Sequence, residues 1–177
     1  GASTLVLPLD VTDAASVAPA LQQVVSAWGG IDLVVWCAGS HSPVRAWELD
    51  AADARRLFDV NLNGVINGLP AVVFRLLQQR SGGIAIVSSV AGYGGLPTAL
   101  IYGATKAALI NLAETLYLDL APRGIGVYLI NPGFVKTPLT DKNEFSMPAL
   151  IAPEDAARQM LRGMERDVYF QVAMLTT

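Results

Sequence analysis

Residues 88–106 read SSVAGYGGLPTALIYGATK. The two serines close an apolar run, GGIAIVSS (82–89), with the length and composition of a buried strand. Glycines and a proline follow, as a turning loop requires. A helical pattern then covers 100–121, and Tyr102 and Lys106 stand at i and i+4 on one face of it. Ser89 ends the strand that feeds this helix. A buried strand leading into a long helix is half of a βαβ unit, and the rest of the chain can be tested against that period.

The period holds on both sides. TLVLPL (4–9) reads as a strand and 13–29 as a helix. IDLVVWCAG (31–39) is a strand ending in glycine. Over 50–80, Leu57, Val60, Asn61, Gly64, Val65 and Gly68 recur at helical spacings of three and four. GIGVYLINPG (124–133) is a strand with a turn, 153–166 a helix with proline and acids at its start and bases at its end, and VYFQVAML (168–175) a further strand. Such alternation predicts an α/β fold, a parallel sheet covered by helices on both faces, with 1–177 as one domain, itself partial for the reason given below. Ligands of these sheets lie outside the carboxyl ends of the strands. Three such ends carry CAG (37–39), Ser88-Ser89 and NPG (131–133).

Composition narrows the function. Of 177 residues, 53% are hydrophobic and 15% charged, a balance suited to a buried sheet and to subunit contacts. The net charge of −3 offers nothing to nucleic acid. No uninterrupted apolar run has membrane-spanning length, and the start, GASTLVLPLD, has no basic segment ahead of its apolar run. One cysteine, Cys37, cannot make an internal disulfide. A cytoplasmic protein without nucleic-acid or membrane partners is expected.

The quoted stretch has the parts of a proton-transfer site. Free tyrosine has a pKa of about 10 and is a poor base at neutral pH. A nearby ammonium favours the phenolate, so Lys106 is expected to lower the Tyr102 value. A tuned tyrosine can exchange a proton with an alcohol or carbonyl oxygen, and a serine hydroxyl can hold that oxygen. Y-x-x-x-K alone is common on helices, and serines at strand ends are usually turn residues. The combination carries the reading.

That combination resembles the classical short-chain dehydrogenase/reductase family. SSVAG and YGATK look like the family's Ser and Tyr-x-x-x-Lys segments. LDVTD (9–13), CAG (37–39), NLNG (61–64) and NPGFVKT (131–137) follow the family's order at plausible spacings. The resemblance implies a Rossmann-like doubly wound sheet and reversible hydride transfer between NAD or NADP and an alcohol/carbonyl pair. It implies Tyr102 as general acid/base, Lys106 lowering its pKa and holding the nicotinamide ribose, Ser89 orienting the carbonyl, and Asn61 holding a relay water linked to Lys106. Asp10 and Val11 would border the adenine. Ala38 and Gly39 would pass close to the cofactor. Pro132 and Gly133 would flank the nicotinamide, with Val135 and Thr137 at its carboxamide. Asn61 can also be read as a buried helix contact, and Asp10 and Thr137 as caps. No metal site is expected.

The chain departs from the family pattern at several points. Cys37 stands where the family usually has asparagine, and is read as a core residue. His41, the single histidine, follows CAG in a polar loop without a partner motif and is expected to stand clear of substrate. The family's opening strand, T-G-x-x-x-G-x-G turn and helix have no counterpart, since TLVLPL resembles the third strand. In the family order 3-2-1-4-5-6-7, two strands at about 4.8 Å each separate it from IDLVVWC, a gap of roughly 14 Å. About 60–75 further N-terminal residues, or another chain, are therefore expected to supply the first two βα units. The C-terminal VYFQVAMLTT resembles the family's last strand only loosely and is expected to include residues joined across a break.

The segment 139–153 supplies Leu139, Phe145, Met147 and Leu150, an apolar lid over a small apolar alcohol or carbonyl substrate. Helices 50–80 and 100–121 are apolar around much of their circumference, which predicts a homodimer or homotetramer. The rival readings are a non-catalytic nucleotide-binding sensor or scaffold, and an inactive fragment.

Overall fold

The computed structural model describes residues 3–142, 146–165 and 172–174. One sheet of four parallel strands lies in the order β1 (Leu33–Trp36), β2 (Gly83–Val87), β3 (Gly126–Pro132) and β4 (Val172–Met174). Leu33 pairs with Gly83, Gly83 with Gly126, and Ile130 with Val172. Every neighbour pair is parallel, so each connection must cross back over the sheet, and helices make the crossings. α1 (Ala14–Trp28) precedes β1; the crossings are α2 (Ala51–Phe58) and α3 (Gly64–Gln79) between β1 and β2, α4 (Leu100–Leu120) between β2 and β3, and α5 (Pro153–Glu165) between β3 and β4. This is a Rossmann-like α/β architecture, as the alternation predicted.

Strand alternation divides the core. Ile84 and Ile86 of β2, with Val127 and Leu129 of β3, meet Val65, Val72 and Leu76 of α3 and Leu109 and Ala113 of α4. Ala85 and Ile130 belong to a second cluster with Ala156, Met160 and Met164 of α5. The pleat sends successive side chains to opposite faces, which is why one strand feeds both clusters. Helices thus cover both faces.

α2 and α3 run on as one helix through a wider turn at Asp59–Asn63, where the Gly64 N–H donates to the Asp59 carbonyl five residues back. This long helix is apolar enough by length and composition to cross a membrane, contrary to the impression left by its interrupted apolar runs. Its inward face (Leu57, Asn61, Val65, Val72 and Leu76) is buried in the core.

One strand expectation fails. Residues 4–9 make no sheet ladder, and Leu5, Val6 and Leu9 are exposed. β1 is the edge of the described sheet, and an apolar run without a neighbouring strand has no partners for its backbone groups. Of the expected strand 168–175, residues 172–174 pair with β3 and the rest lie outside the described residues.

Candidate active site

The site grows from the end of β2. Ser88, buried, donates its N–H to the Ile130 carbonyl at 2.7 Å and its Oγ–H to the Lys106 carbonyl at 2.8 Å. It therefore joins β3 to α4. Ser89 caps a short turn, Val90–Gly92, its Oγ accepting from the Ala91 N–H at 3.2 Å. This turn lies directly on α4: a Cβ on Gly92 would sit 2.9 Å from the Lys106 carbonyl carbon. Only glycine permits that approach.

Tyr102, in the first turn of α4, lines the same cavity as Ser89. Burial pushes its hydroxyl above the ordinary tyrosine value, and the Ser89 hydrogen bond pulls it partway back. The expected lowering by Lys106 is thus not what the chain shows. Lys106 is 4% exposed, and burial brings its ammonium down to about 8, with Cys37 acting the other way. Its Nζ lies 5.6 Å from the Tyr102 ring centroid and donates to the Val87 carbonyl at 2.9 Å. Desolvation disfavours both charged forms, the phenolate and the ammonium.

Asn61 is fully buried, directed inward from the wide turn between α2 and α3. Its amide binds both backbone groups of Ser40, and its Nδ2 also donates to Thr105 Oγ1 at 3.1 Å. Thr105 Oγ1 donates in turn to the Tyr102 carbonyl at 2.8 Å. The loop after β1 is thereby tied to the helix that carries Tyr102.

A cavity of about 480 Å³ opens beside these groups. Ser89, Tyr102 and Gly133 form its polar floor, and Leu96, Phe134 and Leu139 are among its apolar walls. His41 also lines it, its ring 4.7 Å from that of Tyr102 and inclined at 63°. The expectation that this histidine stands clear of the site is corrected: the loop after β1 folds over Tyr102. Val44 N–H donates to the Thr98 carbonyl at 2.9 Å and fastens that loop to the one before α4. Leu139 is the one expected lid residue on the cavity wall. Phe145 lies outside the described residues, and Leu150 is exposed.

The remaining sequence-expected residues spread around this centre. Cys37, Ala38 and Gly39 are exposed at the end of β1, so Cys37 is not the core residue expected. β1 is an edge strand, and edge residues have one flank open. A Cβ on Gly39 would lie 3.6 Å from Asn61 Oδ1 and 3.7 Å from Lys106 Nζ. Val11 packs against Gly64, and its carbonyl accepts from Asn67 Nδ2 at 2.9 Å. Asp10 is exposed and turns on itself, Oδ1 accepting from the N–H and hydroxyl of Thr12, which hold its carboxyl below the usual value. Asp13, not Asp10, caps α1. Pro132 ends β3, and Val135 packs into the second core cluster. The Thr137 carbonyl accepts from the N–H groups of Thr140 and Asp141. Asp10, Val11, Val135 and Thr137 are not among the residues lining the cavity.

A dinucleotide's nicotinamide end fits what is present. The Gly39 backbone runs close to Lys106 Nζ, which has three N–H donors and gives one to the Val87 carbonyl. Ribose hydroxyls suit the other two.

Thr105 and Arg45 were not foreseen from the sequence, and of Ser88 only its place at a ligand-bearing strand end was. Thr105 was the most accessible, three residues after Tyr102 and adjacent to Lys106, on a helix whose inward face was already assigned.

Comparison with known proteins accords with this arrangement. The short chain dehydrogenase family model matches residues 1–147. An uncharacterized oxidoreductase of Myxococcus xanthus is 37% identical over 158 residues, 89% of this chain and 62% of that protein. The 3-oxoacyl-(acyl-carrier-protein) reductase FabG of Thermotoga maritima is 37% identical over 134 residues, 76% of this chain and 54% of that protein. The chain spans less than two thirds of either relative's length. The structure of ElxO with NADP bound has a TM-score of 0.82 and 26% identity, covering 92% of this chain and 71% of that one. A parallel sheet with Ser89, Tyr102 and Lys106 gathered at its carboxyl end, and a family match over most of its length, make this chain a member of the short-chain dehydrogenase family.

Proposed function

We propose that this chain belongs to an NAD(P)-dependent oxidoreductase that interconverts an alcohol and a ketone or aldehyde, with Tyr102 as general acid/base. The observation that carries the proposal is Ser89 and Tyr102 together on the wall of a largely apolar cavity, with buried Lys106 placing its Nζ 5.6 Å from the tyrosine ring centroid. When bound, NAD(P)H supplies the hydride to the carbonyl carbon. The Tyr102 hydroxyl gives its proton to the carbonyl oxygen as negative charge builds there. Ser89 donates a hydrogen bond to the same oxygen. Burial holds Tyr102 protonated at neutral pH, the form that reduction requires. In the oxidative direction Tyr102 takes the alcohol's proton as general base.

Within this reading Ala38 and Gly39 pass close to the cofactor, Pro132 and Gly133 flank the nicotinamide with Val135 and Thr137 at its carboxamide, and Asp10 and Val11 border the adenine. Asn61 acts through Ser40 and Thr105 as a positioning residue. The apolar cavity wall favours an apolar substrate. Phe74, Ile66 and Leu118 are exposed on α3 and α4, which favours a homodimer or homotetramer through those helices. The lone cysteine accords with a cytoplasmic location.

NAD(P)H titration followed by a panel of carbonyl compounds tests the proposal. NAD(P)H oxidation that depends on the carbonyl and is lost in Tyr102→Phe is expected. Nucleotide binding without turnover on any carbonyl would replace the enzyme reading with a sensor.

A further inference from the structure

The cavity beside Tyr102 is not uniformly apolar. Arg45 stands on its wall along with His41, both from the loop that follows β1. The rest of the wall is dominated by aliphatic and aromatic groups such as Val90, Leu96, Phe134 and Leu139. Arg45 is exposed, so its charge stays solvated while it borders the cavity, and it can meet an anion there without the cost of burying an unpaired charge. It is also free of ion pairs within the protein: among the described residues the ion pairs are Arg56–Asp53 and Arg158–Asp155. The nearest carboxylate in sequence, Glu48, is engaged with the Arg45 backbone N–H at 3.2 Å. The guanidinium instead lies 5.9 Å from the Trp47 ring centroid, which steers it without neutralising it.

The loop that presents Arg45 is also held in place. Asn61 grips it at Ser40, and Val44 is bonded to Thr98. A cation with five donors in a planar fork, carried by a held loop at the edge of a largely apolar cavity, suits a planar carboxylate.

We propose that Arg45 is a specificity-determining residue that binds a carboxylate at the end of the substrate remote from the reacting carbon, so that the site takes oxo- or hydroxy-carboxylic acids with an apolar body. The assignment rests on the oxidoreductase reading of the same cavity. Tyr102 and Ser89 hold the reacting oxygen, the aliphatic wall covers the body, and Arg45 marks the other end. The cavity volume, about 480 Å³, is in the range of small-molecule sites.

The test uses a medium-chain oxo-acid and its methyl ester, which differ only in charge at the remote end. Binding of each is followed by tryptophan fluorescence, since Trp47 adjoins Arg45, and by calorimetry. The acid is expected to bind about ten-fold tighter than the ester, a charge-assisted contact's worth. Arg45→Met should bring the ratio near one, Arg45→Lys should keep part of it, and Arg45→Glu should favour the ester. Equal affinities for acid and ester, a preference that survives Arg45→Met, or no binding of either compound would overturn the proposal. NAD(P)H consumption is then measured with the same pair. Preferential binding of the acid with no turnover of either compound would leave the Arg45 assignment standing and remove the oxidoreductase reading. Turnover of both without preference would do the reverse.

Discussion

Asn61 holds Ser40 by both ends of its amide: Oδ1 accepts from the Ser40 N–H at 2.7 Å, and Nδ2 donates to the Ser40 carbonyl at 2.9 Å. The pair is a side-chain imitation of a β-ladder step, made where β1 has already ended. Asn61→Ala would leave both Ser40 groups and the Thr105 hydroxyl without this partner. A loss of about 2–4 kcal/mol is expected from the unsatisfied groups together. Urea unfolding of both proteins checks it, and a loss under about 1 kcal/mol would mean that water replaces the amide.

Tyr102→Phe keeps the ring that packs on His41 and removes the proton and the Ser89 partner. Carbonyl reduction should fall about a thousand-fold, within the range of general acid catalysis. Nucleotide affinity, read by NAD(P)H fluorescence, should move little. Normal turnover in the variant would show that another group supplies the proton.

Lys106 gives the stability curve a defined slope. Its value is about 8 in the fold against 10.5 ordinarily, so the fold disfavours the charged form. Below pH 8 both states are protonated and the full penalty is present. Between pH 8 and 10.5 the unfolded chain holds more protons, so stability rises with pH. Relative to Lys106→Met, the wild type should gain about 3 kcal/mol across that window. Chemical unfolding at pH 7, 9 and 10.5 measures the difference, and a flat difference would mean that the ammonium is better solvated than its burial implies.

Thr98 has φ of 61°, a left-handed conformation rare for a β-branched residue. Its carbonyl is what Val44 binds, so the conformation serves the contact between the two loops. Thr98→Gly should raise stability by about 0.5–1 kcal/mol, less than the full left-handed penalty because glycine also loosens the unfolded chain. Thermal unfolding reads the change. A fall in stability would show that the Thr98 hydroxyl's bond to the Pro97 carbonyl, at 2.7 Å, outweighs the strain.

The alternation of strands and helices was legible because pleat and helix periods leave a direct imprint on sequence. Ser89, Tyr102 and Lys106 were legible because a strand end and one helix face bring them together without reference to the rest of the chain. TLVLPL forms no strand for the complementary reason: an apolar run supplies side chains, whereas a strand also needs a neighbour, and the expected sheet order sets β1 two strands away from it. The sign of the Tyr102 shift depends on how deeply the ring is buried, a property of the packed loops 40–45 and 93–99 that spacing cannot supply. Arg45 and His41 escaped for the same cause. Nothing in HSPVR reveals that these residues fold back over Tyr102, because the contact is made through Thr98, more than fifty residues away.

The bond between Val44 and Thr98, with the bridge of Val44 to Ala99, makes two distant loops one unit of redesign. Grafting a relative's 40–45 loop alone would import side chains without the backbone that aims them. Exchanging 40–45 and 93–99 as a single cassette would carry the aim along with the chemistry.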